Sequence, residues 1–142
     1  MQKSVVIVED DPGLRRQLAL VLNEAPDIEC LYSVGSGEEA LEHIPKRVPD
    51  VVLMDINLPG MSGIECVAHL KKQLPKIEIV MLTIYENSDK LFNALKAGAS
   101  GYLIKSSSPD ALYDAVRDVM MGGAPFSSHI ARQVVRHFRG VG

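Results

Sequence analysis

Val51-Val52-Leu53-Met54-Asp55 is a run of four apolar residues that ends on a carboxylate. Val5-Val6-Ile7-Val8 has the same form and ends on Glu9-Asp10-Asp11, while Ile77-Glu78-Ile79-Val80-Met81-Leu82 ends on Thr83. Runs this short, rich in β-branched residues and mostly without period-two alternation, are what strands buried on both faces look like, and they favour a parallel sheet. Two weaker strands fit the spacing, at residues 28–33 and 101–104, the second followed by Lys105.

The intervening segments have helical period. Leu14, Leu18, Val21 and Leu22 form a stripe between Pro12 and Pro26, and a short helix fits residues 38–44. Ile64, Val67, Ala68 and Leu70 form a third, Leu91 and Leu95 before Gly98 a fourth, and Leu112, Ala115, Val116 and Val119 a fifth. Asp11-Pro12 and Ser108-Pro109 each place a capping residue before proline at the first helical position. Five βα units in about 121 residues predict a doubly wound α/β fold, a five-stranded parallel sheet with helices on both faces.

Composition agrees. The 142 residues are 46% apolar and 23% charged, one domain with some residues to spare. No run approaches the ~20 apolar residues of a membrane span, and the first nine residues are too few and too acidic for a secretory signal. Cys30 and Cys66 have no pairing or metal-ligand spacing, which fits a reduced, intracellular setting and a packing role. His43, His69, His129 and His137 show no ligand spacing either and read as surface residues. The net charge of −3 is divided: all 18 acids lie at or before Asp118, so residues 1–128 carry −6 and residues 129–142 carry +3 from Arg132, Arg136 and Arg139. Such a body is not a nucleic-acid binder by charge.

In open parallel sheets, ligands bind beyond the carboxyl ends of the strands. Those ends deliver Glu9, Asp10 and Asp11, then Asp55 with Asn57, then Thr83 and Lys105. Asp11 is assigned to capping the first helix. The remaining carboxylates repel one another unless one is protonated or a cation sits among them. A hard divalent ion with few carboxylate ligands and room for water and phosphate points to Mg²⁺. With Lys105 and Thr83 nearby, such a pocket suits phosphoryl transfer, Asp55 being either a further ligand or the nucleophile. Acids at strand-to-helix turns are individually common, but four polar groups on one sheet edge are not. Gly35-Ser36-Gly37 reads as a turn and helix cap rather than a phosphate loop.

The segments Val5-Val6-Ile7-Val8-Glu9-Asp10-Asp11, Met54-Asp55-Ile56-Asn57-Leu58-Pro59-Gly60-Met61-Ser62-Gly63, Leu82-Thr83 and Gly98-Ala99-Ser100-Gly101-Tyr102-Leu103-Ile104-Lys105 resemble response-regulator receiver domains of two-component signalling, of the LuxR-type (NarL/FixJ-like) subfamily. The resemblance implies a flavodoxin-like sheet of order 2-1-3-4-5. It implies that Asp55 accepts phosphate from a sensor histidine kinase, that Glu9, Asp10, Asp55 and the Asn57 carbonyl bind Mg²⁺, and that Lys105 pairs with the phosphoryl group or with Asp55. It implies further that Thr83 turns toward bound phosphate and that Tyr102 follows it inward. Two departures stand out. Ile84 occupies a position that is often small, which is expected to narrow access to the phosphoryl group. Ser106 replaces a proline commonly joined to the lysine by a cis bond; we expect the cis form here, although a non-proline cis bond costs roughly 2.5–4 kcal/mol.

Residues 1–121 are thus read as the receiver and 122–142 as a linker toward a helix-turn-helix output domain that the chain lacks, so that DNA is reached only through that domain. After Gly122-Gly123-Ala124-Pro125 a short helix is expected, with Ile130, Val134 and Phe138 on one face. The family implies a cytoplasmic protein that self-associates on phosphorylation. The competing readings are an Mg²⁺-dependent aspartyl-phosphate phosphohydrolase and a degenerate receiver acting as an interaction module. Asn57 stands where that hydrolase class usually has a second acid.

Overall fold

The computed structural model describes residues 2–84 and 88–141. Its elements run β1 (Lys3–Val8), α1 (Pro12–Glu24), β2 (Ile28–Val34), α2 (Gly37–His43), a 3₁₀ turn (Ile44–Lys46), β3 (Val51–Asp55), α3 (Gly63–Gln73), β4 (Glu78–Thr83), α4 (Ser88–Ala97), β5 (Gly101–Ile104), α5 (Pro109–Met120) and α6 (Ser128–Val141). The strands form one parallel sheet of order β2-β1-β3-β4-β5, as expected.

The unbroken apolar runs follow from having a core on each face. Val6, Val8, Val52, Met54 and Met81 point into one, closed by α2, α3 and α4. Val5, Ile7, Val51, Leu53, Val80 and Leu82 point into the other, under α1 and α5. Alternate residues therefore differ in direction but not in burial, which erases the period-two signal. The caps form as read: Asp11 Oδ1 accepts from the Gly13 and Leu14 N–H groups, Ser36 from Glu39 and Ser108 from Ala111. On the second face Arg117 forks onto Asp27 at 2.8 and 2.9 Å, tying α5 to the turn before β2.

Beyond α5 the chain turns at Gly122 (φ +85°) and returns along the free edge of β5. Tyr102 N–H donates to Pro125 O (2.9 Å), Ser127 N–H donates to Tyr102 O (3.2 Å), and Ile104 N–H donates to Ser127 Oγ (3.0 Å). A Cβ on Gly101 would stand 2.6 Å from Pro125 O, so this approach requires glycine. α6 then packs beside α4: Ile130 is fully buried in the first core, Val134 rests against it, and the His137 ring lies 4.0 Å from Phe92. Phe138, expected on one face with Ile130 and Val134, is 68% exposed. At 3.6 residues per turn the position seven after Ile130 meets α4 better than the one eight after it.

Candidate functional site

The carboxyl ends of the strands bring the sequence-predicted residues together. Glu9 follows the last residue of β1, Asp55 ends β3, Thr83 ends β4 and Lys105 follows β5. Glu9 is 2% and Asp55 5% exposed, whereas Asp10 is open to solvent. One carboxylate oxygen from each of Glu9, Asp10 and Asp55 lies within 4.8 Å of the other two. The Lys105 ammonium sits between two of them, 2.5 Å from Glu9 Oε1 and 3.2 Å from Asp55 Oδ2. The lysine thus leans on Glu9 at least as closely as on Asp55.

Burial raises the Glu9 carboxyl above its ordinary value despite the pull of Lys105, and Asp10 and Asp55 add to the rise. Burial works against the Lys105 ammonium, yet the two carboxylates hold its pKa above that of an ordinary lysine. Both directions describe a pocket short of positive charge. Oxygen donors gathered this closely, with an exposed acid at the mouth, fit a hard ion such as Mg²⁺. Chemically the pocket offers a nucleophilic carboxylate, a fixed ammonium and a hydroxyl at the end of the neighbouring strand.

Backbone geometry holds the Asp55 side. Asn57 N–H donates to Asp55 Oδ1 at 3.3 Å, and Gly63 N–H donates to Ile56 O at 2.8 Å. A Cβ on Gly63 would lie 1.9 Å from Asp55 O, so only glycine lets α3 begin this close. Lys105 N–H donates to Thr83 O (2.7 Å), and Ser107 closes a turn onto Ile104 O through its N–H (3.0 Å) and hydroxyl (2.6 Å). That turn aims the lysine across a trans Lys105–Ser106 bond, correcting the cis expectation: the described residues contain no cis peptide. A trans bond avoids the cost of several kcal/mol.

Thr83 and Tyr102 are both fully buried. Burial pushes the Tyr102 phenol up to about 12 against a smaller opposing pull from the neighbouring Thr83, and the buried hydroxyl finds no hydrogen-bond partner among the described residues. The ring therefore occupies an inward position beside Thr83 in the unmodified protein. Ile84, next along, is 65% exposed. Burial also lifts the Cys30 and Cys66 thiols to about 11 and 12, which makes them inert.

Three contributors escaped sequence reasoning. Arg15 on α1 donates to Glu9 O at 2.8 Å, and the Glu38 carboxylate on α2 accepts from Met61 N–H at 3.2 Å beside Gly60 (φ +73°). Lys90 on α4 donates to the Asn57 side-chain oxygen at 3.3 Å. In sequence each is an ordinary solvated charge on a helix, and only the tertiary fold shows what it reaches.

Comparison with known proteins gives the same frame. The response regulator receiver domain family matches residues 5–117. The transcriptional regulatory protein DegU of Brevibacillus brevis is 34% identical over 135 residues, covering 95% of this chain and 57% of DegU. The nitrate/nitrite response regulator protein NarP of Escherichia coli K12 is 34% identical over 126 residues, covering 89% and 59%. The chain spans about three fifths of the length of these curated relatives. A crystal structure of a LuxR-family two-component response regulator from Aurantimonas sp. SI85-9A1 superposes with a TM-score of 0.91 at 28% identity, covering 96% of this chain and 98% of that one. Among the described residues no helix is long and apolar enough to cross a membrane. With the family match running from β1 into α5 and the fold shared with LuxR-family regulators, the chain belongs to the response-regulator receiver family, on its LuxR-type branch.

Proposed function

We propose that the chain is a phospho-accepting receiver in which Asp55 takes a phosphoryl group from a sensor histidine kinase. The observation that carries this reading is the buried Asp55 carboxylate, held by Lys105 at 3.2 Å and gathered with Glu9 and Asp10 within 4.8 Å. An Asp55 carboxylate oxygen attacks phosphorus in line, the P–N bond of the donor phosphohistidine breaks, and the imidazole leaves with the bonding pair and takes up a proton. Mg²⁺ held by Glu9, Asp10, Asp55 and the Asn57 carbonyl would draw charge from the phosphoryl oxygens. Lys105 neutralises a further oxygen without moving far, being already fixed by its backbone bond to Thr83.

Thr83 supplies the hydroxyl that reports the new charge, and Tyr102 next to it carries the report outward. Its main chain is bonded to residues 125 and 127, so a change at Tyr102 bears directly on the start of α6. In a longer protein like the relatives, α6 leads to a helix-turn-helix domain that meets DNA, with self-association of phosphorylated chains. Residues 1–121 are then the receiver and 122–142 the linker.

Incubation with Mg²⁺ and acetyl phosphate, followed by intact-mass measurement, tests the chemistry. A gain of about 80 Da, one phosphoryl group, that Asp55→Asn abolishes is the expected result. Steady turnover of organic phosphates would replace this reading with a hydrolase, and inertness toward both phosphate and beryllofluoride would leave an interaction module.

A further inference from the structure

Lys90 belongs to the first turn of α4, an element with no part in the acidic pocket, yet its ammonium reaches Asn57 Oδ1 at 3.3 Å. Asn57 is held at its other end by its own N–H on Asp55 Oδ1, also at 3.3 Å. An exposed residue two positions past the acceptor is thus tethered from both sides, one tether being the acceptor itself and the other a cation from a different element. We propose that Lys90 is a positioning residue for the phosphoryl site: it holds the Asn57 side chain across the rim of Asp55 and thereby lengthens the life of the aspartyl-phosphate. This rests on Asp55 being the acceptor.

Charge favours the same assignment. Phosphorylation replaces the Asp55 carboxylate charge with nearly two negative charges. Glu9 and Asp10 add two more, whereas Mg²⁺ and Lys105 together return three. About one negative charge remains uncompensated. Arg15 is spent on the Glu9 main-chain oxygen, on the β1 side of the pocket. Lys90 reaches the Asn57 side of the pocket, next to Lys105 on Asp55.

Loss of the phosphoryl group requires a water oxygen to attack phosphorus opposite Asp55. The P–O bond to Asp55 breaks, its carboxylate leaves with the electron pair, and the water proton passes to the inorganic phosphate formed. An Asn57 side chain fixed at the rim obstructs that approach, and one freed from Lys90 does not.

The test uses the whole chain labelled with acetyl [³²P]phosphate and Mg²⁺, following loss of label in the parent, Lys90→Ala, Lys90→Arg, Asn57→Ala and the Lys90→Ala/Asn57→Ala pair. Lys90→Ala is expected to lose label roughly two- to fivefold faster, the scale of one solvent-exposed charged contact, and Lys90→Arg to restore the parent rate. In the Asn57→Ala background Lys90→Ala should add nothing, because the two act as one unit. The Asn57 side-chain NH₂ signals in ¹H–¹⁵N spectra of the unphosphorylated protein should shift in Lys90→Ala at an unchanged unfolding midpoint. Equal lifetimes, or an undiminished Lys90 effect without Asn57, would overturn the proposal while leaving Asp55 as acceptor. A parent that takes up no label would overturn the acceptor assignment and this proposal with it.

Discussion

The corner around Asp55 and the edge along β5 are held by opposite forces, and Tyr102 and Thr83 are where they meet. In the corner, three carboxylates crowd together while one ammonium pairs with two of them, and burial pushes the Glu9 carboxyl upward. Along the edge, Leu91, Ala94, Tyr102 and Ile130 bury one another, and residues 125–127 satisfy the outward N–H and C=O of Tyr102. Electrostatic tension of the first kind changes steeply when a cation or phosphate arrives. Packing of the second kind resists small adjustments and favours discrete arrangements. A charge event at one strand end can therefore become a choice between packings at the next, provided a side chain belongs to both. Under the proposed function Tyr102 is that side chain, its ring buried in the core beside β4 and its main chain bonded to residues 125 and 127.

The contrast has measurable consequences. Truncating a fully buried isoleucine costs about 2–5 kcal/mol. For Ile130→Ala that cost should fall on α6 alone, since the helix packs at the edge of the fold and can undock while the sheet stays folded. Hydrogen exchange should show protection lost over residues 128–141 and kept in β1, β3 and β4; global unfolding instead would mean the edge is integral to the body. In the corner, Mg²⁺ at a hundred times its Kd should stabilise the protein by about 2.7 kcal/mol. Asp10→Asn should remove most of that gain while making the metal-free protein slightly more stable, because one repelling carboxylate is gone. A denaturant titration with and without the ion decides, and equal responses in the two proteins would take Asp10 out of the ligand set.

The smallest effect lies away from both regions. Arg117 holds the Asp27 carboxyl down to about 2, from an ordinary 3.8. A depressed carboxylate contributes stability above its unfolded value and loses it as pH falls toward the folded one. The parent should lose that contribution between about pH 4 and pH 2, and Asp27→Asn should flatten this part of the stability profile. The exposed pair is modest in worth, so thermal melts at several acidic pH values are the suitable measurement.

Much of this was readable from local pattern. Val51-Val52-Leu53-Met54 has the form of a strand covered on both faces, and proline after Asp11 and Ser108 marks helix starts with side chains that do cap them. The strand-end rule places Glu9, Asp10, Asp55, Thr83 and Lys105 on one edge from sequence alone. What escaped depends on tertiary reach. Nothing local distinguishes Lys90 or Glu38 from any solvated helix charge, and a short amphipathic stripe does not reveal whether Phe138 or His137 meets α4. The Lys105–Ser106 peptide departs from the family pattern because the Ser107 turn aims the lysine without the cost of a cis bond.

The cover on β5 also has a place in time. β5 leaves the ribosome about twenty residues before Pro125 and Ser127, so the nascent domain carries an unpaired strand margin until its tail emerges. Gly101 adds no side chain to guard that margin, which makes the interval before α6 docks the stage at which newly made chains are most exposed to wrong pairing with one another.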